Sequence, residues 1–361
     1  MARIELNGVE HSYAVKPRGE ADWALKRLDL VWRDGGAYAL LGPSGCGKTT
    51  LLNVISGLVY PTKGTVTFDD RDVTNLPTQQ RNIAQVFQFP VIYDTMTVFD
   101  NLAFPLRNRA VEAAKIRERV EEVAAMLDLT PDLQHRAHGL TADAKQKISL
   151  GRGLVRNDVA AVLFDEPLTV IDPQLKFQLR RKLKEVHEQF NLTFIYVTHD
   201  QNEALTIADQ VVLMNEGAVV QVGTPQELFE NPRHTFVGYF IGSPGMNLVP
   251  CAIDGDAAVI DGQRIPLAQA IAEKARASAG RLELGIRPEF VRVVPQETDG
   301  AVAVTVAVVE DLGNYKMIEA RLGGHAIKVK LPENQEVPGT LACLVFPPER
   351  TKIYENGHLV E

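Results

Sequence analysis

Ala37-Tyr38-Ala39-Leu40-Leu41-Gly42-Pro43-Ser44-Gly45-Cys46-Gly47-Lys48-Thr49-Thr50 joins a short apolar run to a glycine-rich turn, and its reading decides the fold. The spacing fits G-x-x-x-x-G-K-[ST], the pattern of a phosphate-binding loop. Gly42, Gly45 and Gly47 free the backbone for conformations closed to other residues, which brings a row of N–H groups up to a polyphosphate. Pro43, Ser44 and Cys46 fill the loop between them, and Thr50 closes it. Lys48 supplies a point charge for the outer phosphates, and Thr49 offers its hydroxyl to a magnesium ion. The spacing of Leu51, Leu52, Ile55 and Leu58 predicts a helix with those four on one face and its N-terminus aimed at the anion. The competing reading, a glycine-rich turn with a solvated lysine, is disfavoured because strand, loop and helix stand in the required order.

A chain of 361 residues is too long for one ordinary core and predicts two domains. Its net charge of -8 argues against a nucleic-acid binder working through a large basic surface. No run approaches the ~18 apolar residues of a membrane span, and residues 1–15 lack the apolar core of a signal peptide, so the expected location is the cytoplasm. Cys46, Cys251 and Cys343 are too widely separated for a disulfide framework or a zinc site. Cys46 reads as a small packing residue of the loop.

Around this centre the pattern alternates between strands and helices. Residues 3–9 and 28–32 alternate apolar and polar, predicting two antiparallel strands around the segment that carries Tyr13, a residue type that is usually half-buried packing. Residues 65–68 predict another strand, and 82–87 a buried one ending at Gln88. An amide there is ordinarily a cap, but its carbonyl oxygen is also placed to reach a metal at the loop. Between 111 and 129 the period becomes helical, with Ile116, Val120, Val123 and Leu127 on one stripe and Glu112, Lys115, Arg117, Glu118 and Arg119 on the surface. The apolar run 159–164 reads as a strand buried on both faces and ends in Asp165-Glu166. Asp165 is placed to hold magnesium through water, and Glu166 to polarise an attacking water. A further strand, 192–198, delivers His199 to the same edge. Beyond residue 231 turns break up the chain. Short alternating runs at 281–286, 290–294, 301–309, 326–331 and 341–346, with one helix at 267–277, predict a small β-barrel or sandwich for binding or regulation.

In order and spacing these segments resemble the ATPase subunits of ATP-binding-cassette transporters, most closely the carbohydrate-importer branch typified by the maltose transporter ATPase. The resemblance covers nearly the whole chain, including Gly242-Ser243-Pro244-Gly245-Met246-Asn247, which opens that branch's regulatory domain. It implies an α/β nucleotide-binding cassette over 1–237, a RecA-like core with a helical subdomain at about 89–157, and then a β-rich, OB-like domain of TOBE type over 238–361. ATP and Mg2+ are the implied cofactors. Tyr13 would stack on adenine, the loop Gly42, Pro43, Ser44, Gly45, Cys46, Gly47, Lys48, Thr49 and Thr50 would hold the phosphates, and Gln88 would be the Q-loop residue. Asp165 and Glu166 would be the Walker B pair, 168–172 the D-loop, and His199 the switch histidine at the γ-phosphate. Catalysis then falls to Lys48, Gln88, Glu166 and His199, and metal binding to Thr49, Gln88 and Asp165. Two integral membrane permeases are implied partners, their coupling helices entering a groove near residues 88–104, together with a periplasmic solute-binding protein. The subunit would sit at the cytoplasmic face of the inner membrane. Soluble cassette proteins of translation or DNA repair usually carry paired cassettes or long coiled coils, and neither pattern is present.

One departure carries a consequence. Where the family has a signature Leu-Ser-Gly-Gly-Gln, this chain has Leu140-Thr141-Ala142-Asp143-Ala144. The signature's N–H groups cap the γ-phosphate of ATP held by the opposite subunit, and a carboxylate there is unfavourable. Two like charges at ~4 Å repel by roughly 4 kcal/mol at an effective dielectric of about 20. Lys145 and Lys147 screen part of this, and Asp143 also suits a helix N-terminus, for about 0.3–1 kcal/mol. The D-loop Leu168-Thr169-Val170-Ile171-Asp172 lacks the usual serine, and Phe89-Pro90-Val91-Ile92-Tyr93-Asp94-Thr95 strays from the importer pattern. The expectation is a heterodimer with a second ATPase chain that carries an intact signature. Residues 142–156 and 163–173 resemble the ATPases of bacterial glycerol importers, which use two different ATPase chains, so the expected cargo is glycerol or a related polyol. Import of sn-glycerol 3-phosphate or a sugar by a homodimer, and a nucleotide-binding regulatory subunit with little hydrolysis, are the alternatives.

Overall fold

The computed structural model describes residues 2–336 and 339–361, which form two compact units, Met1–Pro225 and Gln226–Glu361. In the first, a six-stranded sheet runs in the order Ala218–Gly223, Gln210–Asn215, Ala37–Leu41, Phe194–Thr198, Val162–Asp165, Ala84–Val86. The last five pair in parallel, and Ala218–Gly223 closes the edge as an antiparallel hairpin. Every residue of Ala37–Leu41 and Phe194–Thr198 is buried, which is why these runs stay apolar or aromatic up to Thr198 instead of alternating. Register places Leu41 beside Thr198 and Asp165 beside Val197. The loops that leave these strands therefore open at one edge, the usual ligand edge of a parallel sheet.

A smaller antiparallel sheet, ordered Leu25–Trp32, Ile4–His11, Lys63–Phe68, Arg71–Asp72, belongs to the same unit. The helix after the phosphate loop is Lys48–Ser56, and it buries Leu51, Leu52 and Ile55. Leu58 does not share that face. Gly57 ends the helix in a left-handed conformation, φ 78°, and leaves Leu58 exposed beyond it.

Helices Val98–Arg107, Ala113–Met126 and Ala142–Leu154 pack into one core with the edge strand Ala84–Val86. The stripe Ile116, Val120, Val123 and Leu127 is buried as its period requires. Arg119 departs from the expected solvated face. Its guanidinium lies 4.1 Å from the Phe190 ring centroid and donates to the carbonyls of Leu154 at 2.8 Å and Val155 at 3.2 Å. A cation there satisfies acceptors that the end of helix Ala142–Leu154 leaves open.

The second unit holds three antiparallel sheets around one core. The largest runs Arg292–Val294, Leu341–Val345, Val302–Asp311, Tyr315–Leu322, His325–Pro332. The unit starts upstream of the boundary read at 237, taking in helix Thr235–Phe240. The buried Arg287 explains this placement. It donates to the carbonyls of Leu228, Phe229, Gly238 and Ile241, tying the leading helices to the strand Leu282–Ile286 that it follows.

Candidate nucleotide site

The loop owes its shape to glycine. Gly47 stands at φ 102°, where a Cβ would meet the Ala24 carbonyl oxygen at 2.5 Å, so any other residue would push strand and loop apart. The turn folds the Lys48 ammonium inward. Only 5% exposed, its Nζ donates to the carbonyls of Gly42 at 2.8 Å and Pro43 at 2.9 Å. Cys46 is buried 3.9 Å from that Nζ, its thiol pushed up by burial, while its carbonyl accepts the Gly217 N–H at 3.1 Å. These are the surroundings of a packing residue.

The two carboxylates at the end of Val162–Asp165 part company. Asp165 accepts from the Thr49 hydroxyl at 3.1 Å; burial pushes its carboxyl up, against the pull of that hydrogen bond. Glu166 sits at φ 47°, in the left-handed region, a conformation that carries about 1–3 kcal/mol of strain. Its N–H donates to Val197 at 3.0 Å, and its Oε2 lies 3.0 Å from Nδ1 of His199 and 3.3 Å from the Thr169 hydroxyl that donates to it. His199 is delivered by the adjacent strand Phe194–Thr198.

A cleft of about 350 Å³ gathers Tyr13, Ser44, Gly45, Lys48, Thr49 and Glu166 along its walls. Tyr13 is 63% exposed, with its hydroxyl 3.3 Å from that of Thr50 and its ring edge-on to His11 at 4.6 Å. The Thr49 hydroxyl and Asp165 carboxylate are hard oxygen donors. Among the described residues no cluster of three or more His, Cys, Asp or Glu could enclose a metal. A pair of oxygens beside an anion-binding loop suits an ion that keeps water and phosphate oxygens as its other ligands, as Mg2+ does.

A family described as "ABC transporter" matches residues 25–169, "MalK OB fold domain" matches 242–291 and "TOBE domain" matches 284–352. The sn-glycerol-3-phosphate import ATP-binding protein UgpC of Yersinia enterocolitica serotype O:8 / biotype 1B is 38% identical to this chain, covering 99% of it and 98% of the relative. The proteins of that name from Cupriavidus necator and Burkholderia mallei are 39% and 40% identical, covering 93% and 92% of the chain and 92% and 91% of their own lengths. The chain belongs to the ATP-binding subunits of ABC transporters. Among solved structures, cbiO1 from Clostridium perfringens, part of the ABC transporter complex cbiONQ, superposes with a TM-score of 0.57 at 24% identity, over 63% of this chain and 90% of that one. That likeness shows the fold of the cassette. The subunit is accordingly an ATP-binding ATPase coupled to transport, with MalK-type OB and TOBE modules in its second unit, and it acts with membrane permease partners. No helix among its described residues is long and apolar enough to cross a membrane.

Other family positions lie at the margins of the cleft. Gln88 is half buried just past Ala84–Val86 and, among the described residues, makes no hydrogen bond to Thr49 or Asp165. In the D-loop, Leu168 is buried, and Asp172 caps helix Pro173–Phe190 by accepting from the Gln174 N–H at 2.9 Å. The altered signature opens helix Ala142–Leu154, where Thr141 is the N-cap, accepting from the Ala144 N–H at 3.3 Å. Asp143 lies in the first turn with Oδ2 3.9 Å from Nζ of Lys147, and its buried Oδ1 has no hydrogen-bond partner among the described residues. Lys145 instead pairs with Asp94 at 2.9 Å. Sequence reasoning passed over Gln146, which is fully buried and donates from Nε2 to the carbonyls of Pro167 at 2.7 Å and Phe87 at 3.3 Å. The signal was a lone amide on the buried face of the helix that also carries Ile148, Leu150 and Leu154.

Proposed function

We propose that this subunit hydrolyses Mg-ATP against a second, non-identical ATP-binding chain and so drives import of a cargo with a glycerol skeleton. The observation that carries the hydrolytic reading is the meeting in one place of the Thr49–Asp165 pair, at 3.1 Å, and the Glu166–His199 pair, at 3.0 Å. Lys48 and the loop N–H groups hold the outer phosphates, and Tyr13 lies against adenine. Thr49 and Asp165 would hold Mg2+, and Gln88 would join them from the end of Ala84–Val86; the ion would supply neutralisation of phosphate charge. Glu166, oriented by His199 and Thr169, accepts the proton of the attacking water.

The asymmetric pair is supported by Asp143. Among the described residues its carboxylate has only Lys147 at 3.9 Å, too loose to cancel the charge, and the fixed helix start offers no glycine to replace it. A partner with a complete signature would close on ATP held by this chain's loop, so one good site survives. Two copies of this chain would instead make two sites with an acidic cap. The relatives named above are sn-glycerol-3-phosphate importers by name, which supports that cargo, and the likeness to glycerol-importer ATPases supports glycerol itself. A solute-binding protein would deliver the cargo, and the subunit would dock on its permeases at the cytoplasmic face. The test is purification of the chain from its own cell with whatever it holds, followed by uptake of both labelled cargoes. Two membrane proteins, a second ATPase and uptake abolished by Glu166→Gln with ATP binding retained are expected. Vigorous, cooperative turnover by the isolated chain overturns the asymmetric pair. A regulatory subunit with little hydrolysis is the second reading, favoured by Asp143 alone; unchanged turnover of the complex carrying Glu166→Gln would establish it.

A further inference from the structure

Glu166 is immediately followed by Pro167. A residue before proline avoids even the right-handed helical region, so a left-handed one at φ 47° persists only if its neighbours restrain it. On one side the restraint is the Glu166 N–H bonded to Val197. On the other it is the Pro167 carbonyl, held at 2.7 Å by the buried amide of Gln146. The same Nε2 reaches the Phe87 carbonyl, one residue before Gln88.

Gln146 is also the first of a row. Ser149 accepts from the Val91 N–H at 3.4 Å, and Arg152 donates to the Val91 carbonyl while its guanidinium lies 4.7 Å from the Tyr93 ring centroid. Segment 87–93 is thus fastened to this helix, while Phe87, Phe89, Val91 and Tyr93 remain exposed. Both hydrogens of the Gln146 amide are committed to carbonyls. Among the described residues its buried Oε1 has no donor, so the hold of this amide rests on the two carbonyls alone.

We propose that Gln146 is a positioning residue that sets the catalytic geometry of Glu166 and links it to movement of segment 87–93. This rests on the reading of Glu166 as the residue that activates water. The test uses the transporter purified with its permeases, and Gln146→Met, which keeps the volume and removes both donors. ATP affinity and KM should stay within about twofold of the parent, kcat should fall at least tenfold, and stimulation by cargo-loaded solute-binding protein should disappear. Unchanged kcat, or parallel loss of ATP affinity and turnover, overturns the proposal, the second because it marks a residue needed only for packing. Glu166→Gln run alongside separates the two claims. If it abolishes turnover while Gln146→Met does not, the positioning role fails alone. If it leaves turnover intact, the reading of Glu166 fails.

Discussion

Asp165 and Glu166 are neighbours of the same chemical type, and their surroundings give them different work. Asp165, buried and touched by Thr49, is set up for a cation; Asp165→Asn should weaken Mg2+ dependence of ATP binding by about tenfold or more, read by titrating Mg2+ against bound nucleotide. Glu166 has an imidazole and a hydroxyl on Oε2, and Glu166→Gln should lower turnover by about 10²–10⁴-fold, the usual worth of a general base. His11 makes a different prediction. It is buried, and burial lowers its pKa against the weaker opposing pull of a hydrogen bond to the Tyr60 carbonyl. Folded His11 therefore stays neutral while the unfolded chain takes up a proton below about pH 6.5. Stability contributed by the neutral ring is lost as pH falls through that ordinary value toward the lowered folded one. His11→Phe should shrink the drop in Tm between pH 7.5 and 5.5, and an equal drop in both proteins would remove His11 from the account.

Helix Ala142–Leu154 combines features that composition alone would not join, since its start is the altered signature and its buried face carries Gln146. Restoring the family sequence by Ala142→Gly, Asp143→Gly and Ala144→Gln should raise ATP turnover of the isolated chain severalfold. It should also destabilise the helix by up to about 1 kcal/mol per glycine. A drop in Tm without a gain in turnover would make Asp143 a plain helix-stabilising charge. Legibility followed burial. The runs leading to Leu41, Phe164 and Val197 were readable because strands covered on both faces have no polar positions to break them. The hairpin Gln210–Asn215 with Ala218–Gly223 was missed. Its turn is Glu216-Gly217, both at positive φ, and glutamate is a weak turn signal where asparagine would have been a strong one. Strand Tyr315–Leu322 escaped too, because its inward set of Ile318, Ala320 and Leu322 includes a small residue of poor strand propensity. Leu58 and Arg119 were misplaced because a periodic pattern does not announce a glycine stop or a carbonyl within reach.

Across the whole molecule, the residues of the site come from points far apart in the chain, and what made most of them readable is that a parallel sheet delivers successive loops to one edge. Gln146 was not readable in that way, because its partners are backbone carbonyls and a carbonyl has no letter in the sequence. The boundary between the units was obscured for the same reason. The side chain that draws residues 228–241 into the second unit lies at 287 and holds them by main-chain oxygens. Burial brings the Arg287 guanidinium down to about 10, against the opposing pull of Glu289 and Tyr354, so the group stays charged at neutral pH and needs those acceptors to satisfy its N–H groups. Anyone severing the gene at residue 242, where the OB match opens, would amputate all four acceptors and strand a sunken cation. Such a fragment should precipitate or melt early. Cutting at 226 instead should give a soluble piece, and a side-by-side expression trial would tell them apart.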